Sequence, residues 1–424
     1  MANTIALSQK SSTKPYLIAW GLGLLFYFLE YAVRSSPSVM IGQLSSAFNV
    51  SALRISTVLG LYYYTYSTIS LAAGAALDRV GAHLPVSIGV CLLGIGCFLF
   101  AAPSVFAGDT GRLLQGAGSA FAFPGCVYLA TRGFPPQQLA TAIGFTQCFG
   151  MLGGSAGQFV VAPMIANGLS ISSLWFTIGT LCLIVCLSLF FLVPKETKTT
   201  ETAPNKKQNF LTPYKIVFSN PQSYLCGIVS GLLFAPTTIF AMTWGVAFFE
   251  HDRGFAYRAA SVASSMVPLG WVVGCPLLGW LADKGGRRKP VLIGGCVFMM
   301  LSLLQLLYAP LLLPAGATLF VFGVGSGAAM LPYSVIKEVN PDKVKGSATG
   351  AINFLTFGVT TLLGPLFAAA YGRTLETTTD PSLHFQRAGL FWVGTTALAV
   401  FVSLFLRETG RAAALSTKGM NEGR

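Results

Sequence analysis

Twelve stretches of this chain are apolar over the length of a helix, near residues 16–41, 53–77, 84–103, 109–132, 139–166, 172–193, 222–249, 258–282, 289–310, 312–336, 345–371 and 387–406. A helix needs about 20 such residues to cross a bilayer core, where every backbone N–H and C=O must be satisfied within the protein. The runs are continuous and too long for the alternating, roughly ten-residue strands of a membrane barrel. Composition agrees: only 10% of residues are charged and mean hydropathy is +0.66, whereas soluble domains carry about a quarter charged residues. The expected fold is an all-α integral membrane protein of twelve transmembrane helices.

The chain also repeats itself. Gly74, Asp78, Arg79 and Gly81 span the end of the second stretch, and Gly279, Asp283, Lys284 and Gly286 the end of the eighth, with the same internal spacing at an offset of 205 residues. Such a duplication implies two pseudo-symmetric six-helix bundles. We place the first at 1–193 and the second at 222–424, joined by a polar linker at 194–221 rich in Lys, Thr, Asn and Pro.

Basic residues fix the expected orientation. With the N-terminus inside, twenty of the 27 fall on one side, five (Arg54, Arg253, Arg258, Arg373, Arg387) on the other, and Arg34 and Arg112 lie within stretches. The positive-inside rule then puts both termini in the cytoplasm. Net charge +13 is spread over short loops, so it marks topology and not a nucleic-acid partner. The nine cysteines all lie in apolar segments and read as plain core thiols, and the three histidines are far apart, which gives a metal site little to build on.

The two Gly-x-x-x-Asp-basic-x-Gly segments resemble the signature loop of the major facilitator superfamily, and the second continues with Arg287 and Arg288 as that motif does. His83 in the first copy stands where Arg or Lys is usual. Arg112, Gln115, Gly116 and Gly118 resemble the superfamily's RxxQGxG motif. The resemblance covers the whole chain and implies a major facilitator fold, alternating access, and a cytoplasmic gating latch at the two repeated loops. Glu30 to Met40, followed by Tyr62 to Tyr66, further resembles proteobacterial intraphagosomal amino-acid transporters, which implies a bacterial inner membrane. Gly144, Gly153, Gly154 and Gly157 partly resemble the antiporter motif of drug exporters, but Gln158 stands where its Pro should follow. Glycines at this spacing otherwise serve close helix packing.

An ionisable group inside a membrane is costly and marks function. Of fourteen acids only Glu30 is deep within a stretch, roughly 20 Å along the helix axis, which suits a proton-coupling site. Arg34 lies one turn away on the same face, with Tyr27, Tyr31 and Ser38 extending that polar stripe. The pair either neutralises itself or straddles a substrate, a zwitterion satisfying both charges. Tyr62 and Tyr66 share a face at a depth where hydroxyls need partners, so both read as cavity lining. Arg112, Gln115 and Gln147 join them as candidate binding residues, and the second half contributes Trp244, Tyr333 and Asn353, with Pro236, Pro332 and Gly364–Pro365 as helix breakers.

No cluster of acid, base and nucleophile converges, no GxxxxGK[ST] run is present, and no polar segment is long enough for a catalytic domain. An enzyme is therefore not expected. The reading is a monomeric, cofactor-free, proton-coupled transporter importing a small polar solute. An amino acid comes first, then an organic anion or nucleoside. The alternatives are a proton antiporter exporting amphipathic compounds and a non-transporting membrane sensor.

Overall fold

The structure, a computed structural model, describes residues 13–134, 136–195, 212–310, 312–341, 344–377 and 380–410, except for the side chains of 13, 78, 136–141, 375 and 376. Eleven helices in it are long and apolar enough to cross a membrane. A twelfth, Ala52–Leu77, passes together with Ile41–Phe48 before it, across a 102° bend. In chain order, spans 1 to 6 are Lys14–Val39, Ala52–Leu77, His83–Phe100, Val105–Gly133, Ala142–Ala166 and Ile171–Leu192. Spans 7 to 12 are Pro221–His251, Tyr257–Gly285, Lys289–Tyr308, Ala315–Glu338, Lys345–Thr374 and Pro381–Ser403. The fold is the expected all-α membrane architecture. Segment 194–221 lies largely outside the described residues, but its end forms a short helix, Thr212–Phe218, which the polar composition did not suggest. That helix holds on because Tyr214 is buried and donates its hydroxyl to the Leu71 carbonyl at 2.9 Å.

The duplication is visible in packing. A Cβ on Gly116 of span 4 would stand 2.0 Å from the Tyr62 carbonyl oxygen, and one on Gly323 of span 10 would stand 2.1 Å from that of Val267. Tyr62 and Val267 are 205 residues apart, the offset of the repeated loops, so spans 2 and 4 meet as spans 8 and 10 do. Both contacts need glycine, because backbone lies where a side chain would start. Span 5 uses its glycines similarly, since a Cβ on Gly153 would be 2.1 Å from the Phe28 carbonyl oxygen of span 1.

The two halves meet chiefly where span 2 runs beside span 11 and span 5 beside span 8. Of the expected breakers, Pro236 opens a nine-residue π-helical segment, Pro236–Trp244, within span 7, and Pro332 follows a 3-10 turn, Gly327–Met330, in span 10. A proline removes an intrahelical donor, and local π or 3-10 winding re-pairs the freed groups. Gly364–Pro365, in contrast, sits inside one continuous helix, Lys345–Thr377.

Candidate functional site

The repeated loops end spans 2 and 8 at glycines of positive φ: Gly81 has φ 78° with ψ -175°, and Gly286 is left-handed with φ 63°, backbone conformations that glycine adopts without penalty. Gly74 faces Tyr214 and Gly350, whereas no atom lies within 4 Å of a Cβ built on Gly279. The Asp78 side chain lies outside the described residues, and Arg79 occupies the last turn before Gly81. In the second copy Asp283 pairs with Arg288 at 2.5 Å, and Arg288 also reaches Glu338 at 3.2 Å. Arg288 rather than Arg287 is thus the described bridge. Lys284 places its ammonium 4.8 Å from the centre of the Trp280 ring. Glu408 accepts from the backbone N–H groups of Arg288 and Lys289 at 2.8 and 3.1 Å, covering the N-terminus of span 9, where a negative charge is favoured.

The charged centre lies in span 1. Glu30 and Arg34 are buried and ion-paired, as their four-residue spacing on one helix face permits. The Tyr62 hydroxyl donates to the same Glu30 oxygen, Oε1, and accepts from Arg34 Nε and Nη2 at 3.3 and 3.2 Å. Rings surround the guanidinium. Tyr31, Tyr66 and Tyr62 lie 4.3, 4.8 and 5.2 Å from it, and Phe357 of span 11 completes the cage at 5.2 Å. Such ring faces attract a desolvated cation. Even so, Glu30 Oε2 and Arg34 Nη1 remain without hydrogen-bond partners.

Beside this centre is a small cavity between the halves. Tyr27, Tyr31, Tyr66 and Gln147 line it from one half, and Tyr333 and Asn353 from the other. All six were expected to bind substrate. Tyr27 donates to Gln147 Oε1 at 3.1 Å and Tyr333 to Asn353 Oδ1 at 2.5 Å. The remaining amide donors, Gln147 Nε2 and Asn353 Nδ2, are buried and unpartnered. Phe123, Phe234, Met330 and Phe357 add apolar walls; nothing local in the sequence distinguishes them from ordinary core residues.

The other expected residues sit elsewhere. Glu30, Arg34 and Tyr62 lie behind the tyrosine wall. Arg112 donates to Gln115 Oε1 at 2.8 Å and to the Val33 and Leu59 carbonyls at 3.2 and 3.4 Å, so its described bonds tie spans 1, 2 and 4 together. Gln115 also contacts Cys97 Sγ at 3.7 Å. Trp244 lines two other cavities, toward the opposite membrane face from the repeated loops. Of the tyrosine run, Tyr62, Tyr63 and Tyr66 are buried and Tyr64 is exposed.

Contacts between the halves close the cavity on both sides. Toward the repeated loops, Ser67 bonds the Phe354 carbonyl at 2.7 Å and Cys148 approaches that of Val272 at 3.5 Å. Toward the other face, Gln158, which also donates to Ser38 of its own half at 2.9 Å, donates across to the Ala241 carbonyl at 2.7 Å, and Tyr257 donates to the Val39 carbonyl at 2.6 Å. Gln158, noted in the sequence only as a departure from a motif, is a main tie across the halves. A second buried pair was not foreseen: Asp252, after span 7, meets His384, in span 12, at 2.9 Å.

A family model described as Major Facilitator Superfamily matches residues 23–365. The chain belongs to the Major Facilitator Superfamily. A D-galactonate transporter of Escherichia coli O6:H1 is 24% identical over 371 residues, covering 76% of this chain and 82% of that protein. A protein described as a probable sulfoacetate transporter of Cupriavidus necator is 23% identical over 423 residues, covering 94% and 95%. Among solved structures, a bacterial homologue of the human lysosomal transporter Spinster, inward-facing and unoccupied, superposes with TM-score 0.68 at 15% identity over 92% of this chain and 96% of that one. That likeness is one of fold. The chain is a transporter of this superfamily.

Proposed function

We propose that this transporter carries a small organic anion together with a proton, and that Glu30 is the proton site. One observation carries the reading: Glu30 and Arg34 form a buried pair in which each keeps an unpartnered atom, beside a cavity whose free polar groups are donors. A protonated Glu30 no longer holds Arg34 by charge, so the guanidinium can take a substrate carboxylate. When the proton leaves, Glu30 competes for Arg34 again and the anion is released. Tyr31 and Tyr66 line the cavity while carrying Arg34 on their rings, and so stand between the two sites in function.

This moves the preference from an amino acid to an anion. A zwitterion needs an ionised acid for its amine, and in this scheme Glu30 is neutral whenever Arg34 is released to hold the substrate carboxylate. The relatives named for D-galactonate and sulfoacetate transport, both organic anions, support the same choice. Uptake across a bacterial inner membrane, with both termini cytoplasmic, monomeric action and a latch at the repeated loops between rocking six-helix halves, completes the proposal.

A thermal-shift screen of sugar acids, sulfonates, dicarboxylates, amino acids, nucleosides and amphipathic cations tests it, since a ligand at about 100 times its Kd stabilises the fold by about 2.7 kcal/mol. Stabilisation by carboxylates or sulfonates, followed by pH-driven uptake of the same compound in proteoliposomes, is expected. Stabilisation by amphipathic cations alone, with efflux, would replace this reading with the exporter.

A further inference from the structure

A groove opens on the face of the second half away from the repeated loops, where spans 8, 9 and 10 reach the membrane boundary. Its floor is apolar, with Phe249, Val262 and Leu306 among its walls, and its rim carries Arg253 and Arg258. Among the described residues no acidic side chain lines it. Among the described residues neither arginine has an ion-pair partner. Arg253 rests against the Phe385 ring at 5.3 Å, and Arg258 is exposed.

Two helices begin at the same rim. The helix of span 8 starts at Tyr257 after Ala256, that of span 10 at Ala315 after Pro314, and neither has a side-chain cap. The first backbone N–H groups of each are left without intrahelical partners, and the positive ends of both dipoles favour an anion there. Two guanidinium groups and two uncapped helix starts therefore gather positive potential directly above an apolar trough. A free inorganic anion would use the rim and leave the trough empty; a lipid uses both.

We infer that this groove binds an anionic glycerophospholipid, with the phosphate between Arg253 and Arg258 and an acyl chain along Val262, Pro310 and Pro314. Arg258 also reaches Asn167 Oδ1 of the first half at 3.5 Å. A bound headgroup competes for that guanidinium, so lipid occupancy is linked to how firmly the halves meet on this face.

The test uses the full chain purified in detergent, with thermal unfolding and native mass spectrometry as readouts. Dioleoylphosphatidylglycerol, the phosphatidylcholine with the same chains, and glycerol phosphate are added separately. One retained phosphatidylglycerol and a clear upward Tm shift are expected, with at least tenfold preference over phosphatidylcholine and no shift from glycerol phosphate. The R253Q/R258Q double variant should lose the preference, whereas R387Q, an exposed arginine outside the groove, should keep it. Should the double variant not fold, V262W, which fills the trough and leaves both arginines, should reduce phosphatidylglycerol retention about tenfold. Unchanged preference in R253Q/R258Q or in V262W, or an equal shift from glycerol phosphate, would overturn the proposal. None of these readouts depends on the identity of the transported solute.

Discussion

Replacing Glu30 with glutamine separates the charge of this residue from its shape. Glutamine keeps an acceptor oxygen for Tyr62 but removes the negative charge facing Arg34, whose side chain is fully buried. Breaking one side of a buried pair costs about 3–5 kcal/mol, mostly because the surviving charge is left unpaired. Here the retained Tyr62 contact and the ring cage place the expected loss near the lower end, about 3 kcal/mol. Adding Arg34→Met removes the orphaned charge and should restore most of that loss, a non-additivity that a double-mutant cycle reads directly.

The transport side follows from the same charge. One proton moved down a gradient of one pH unit contributes about 1.4 kcal/mol, which sustains about tenfold accumulation. In proteoliposomes, wild type should reach that ratio for its anion. Glu30→Gln should fall to about one while still exchanging labelled for unlabelled substrate, because exchange needs the cavity but no net proton movement. A folded Glu30→Gln protein that still accumulates tenfold would refute the role of Glu30. Loss of exchange as well as accumulation would instead make Glu30 part of the substrate site.

Four further outcomes are expected. Tyr62→Phe removes one hydroxyl that serves both Glu30 and Arg34 and should lower unfolding free energy by about 1–3 kcal/mol, the cost of a buried polar group left unpaired; a change within error would show that the two charges do not need it. Burial raises the Asp252 carboxyl above its ordinary range, and the neighbouring His384 opposes this only in part. Its ionised form is thus disfavoured in the fold, so stability from this residue is fullest at low pH and declines as pH rises through the raised value. Asp252→Asn should flatten that decline in a Tm-versus-pH series, and parallel curves would contradict it. Arg288→Gln breaks two ion pairs whose acids are 69% and 32% exposed, and solvent screening limits the loss to about 1 kcal/mol or less by thermal unfolding. Gly116→Ala and Gly323→Ala each place a methyl against a carbonyl oxygen and should destabilise by roughly 1–3 kcal/mol or more; tolerance at either would argue against the span 2–4 and 8–10 contacts.

The spans were readable because crossing a membrane is a one-dimensional demand: enough consecutive apolar residues, whatever packs against them. Glu30 was readable for the same reason, since a lone acid amid twenty apolar residues has few explanations. Its Arg34 partner came with it, being four residues away on the same helix. What could not be read were contacts made only by tertiary packing. Asp252 and His384 are 132 residues apart, and each alone looks like an ordinary residue at a span end. Phe357 is one of 32 phenylalanines until the approach of span 11 to span 2 lays it over Arg34. Arg112 shows the converse: it stood among the candidate binding residues, yet its described bonds run to nearby carbonyls and to Gln115.

The offset that aligns the two halves also shows where they differ. Tyr62 and Val267 hold equivalent places, each with its carbonyl pressed by a glycine from the neighbouring span. Their side chains, however, face different tasks: Tyr62 bonds both members of the charged pair, while Val267 is an apolar core residue. Backbone contact can be duplicated without cost because glycine and a carbonyl suffice for it. A buried charge cannot, since every copy must be desolvated and paired anew. Two such centres facing each other across one small cavity would add that penalty twice and set two acids against each other. Keeping a single Glu30–Arg34 pair, with rings and amides opposite it, avoids both penalties, and Phe357 of the second half meets that one pair directly.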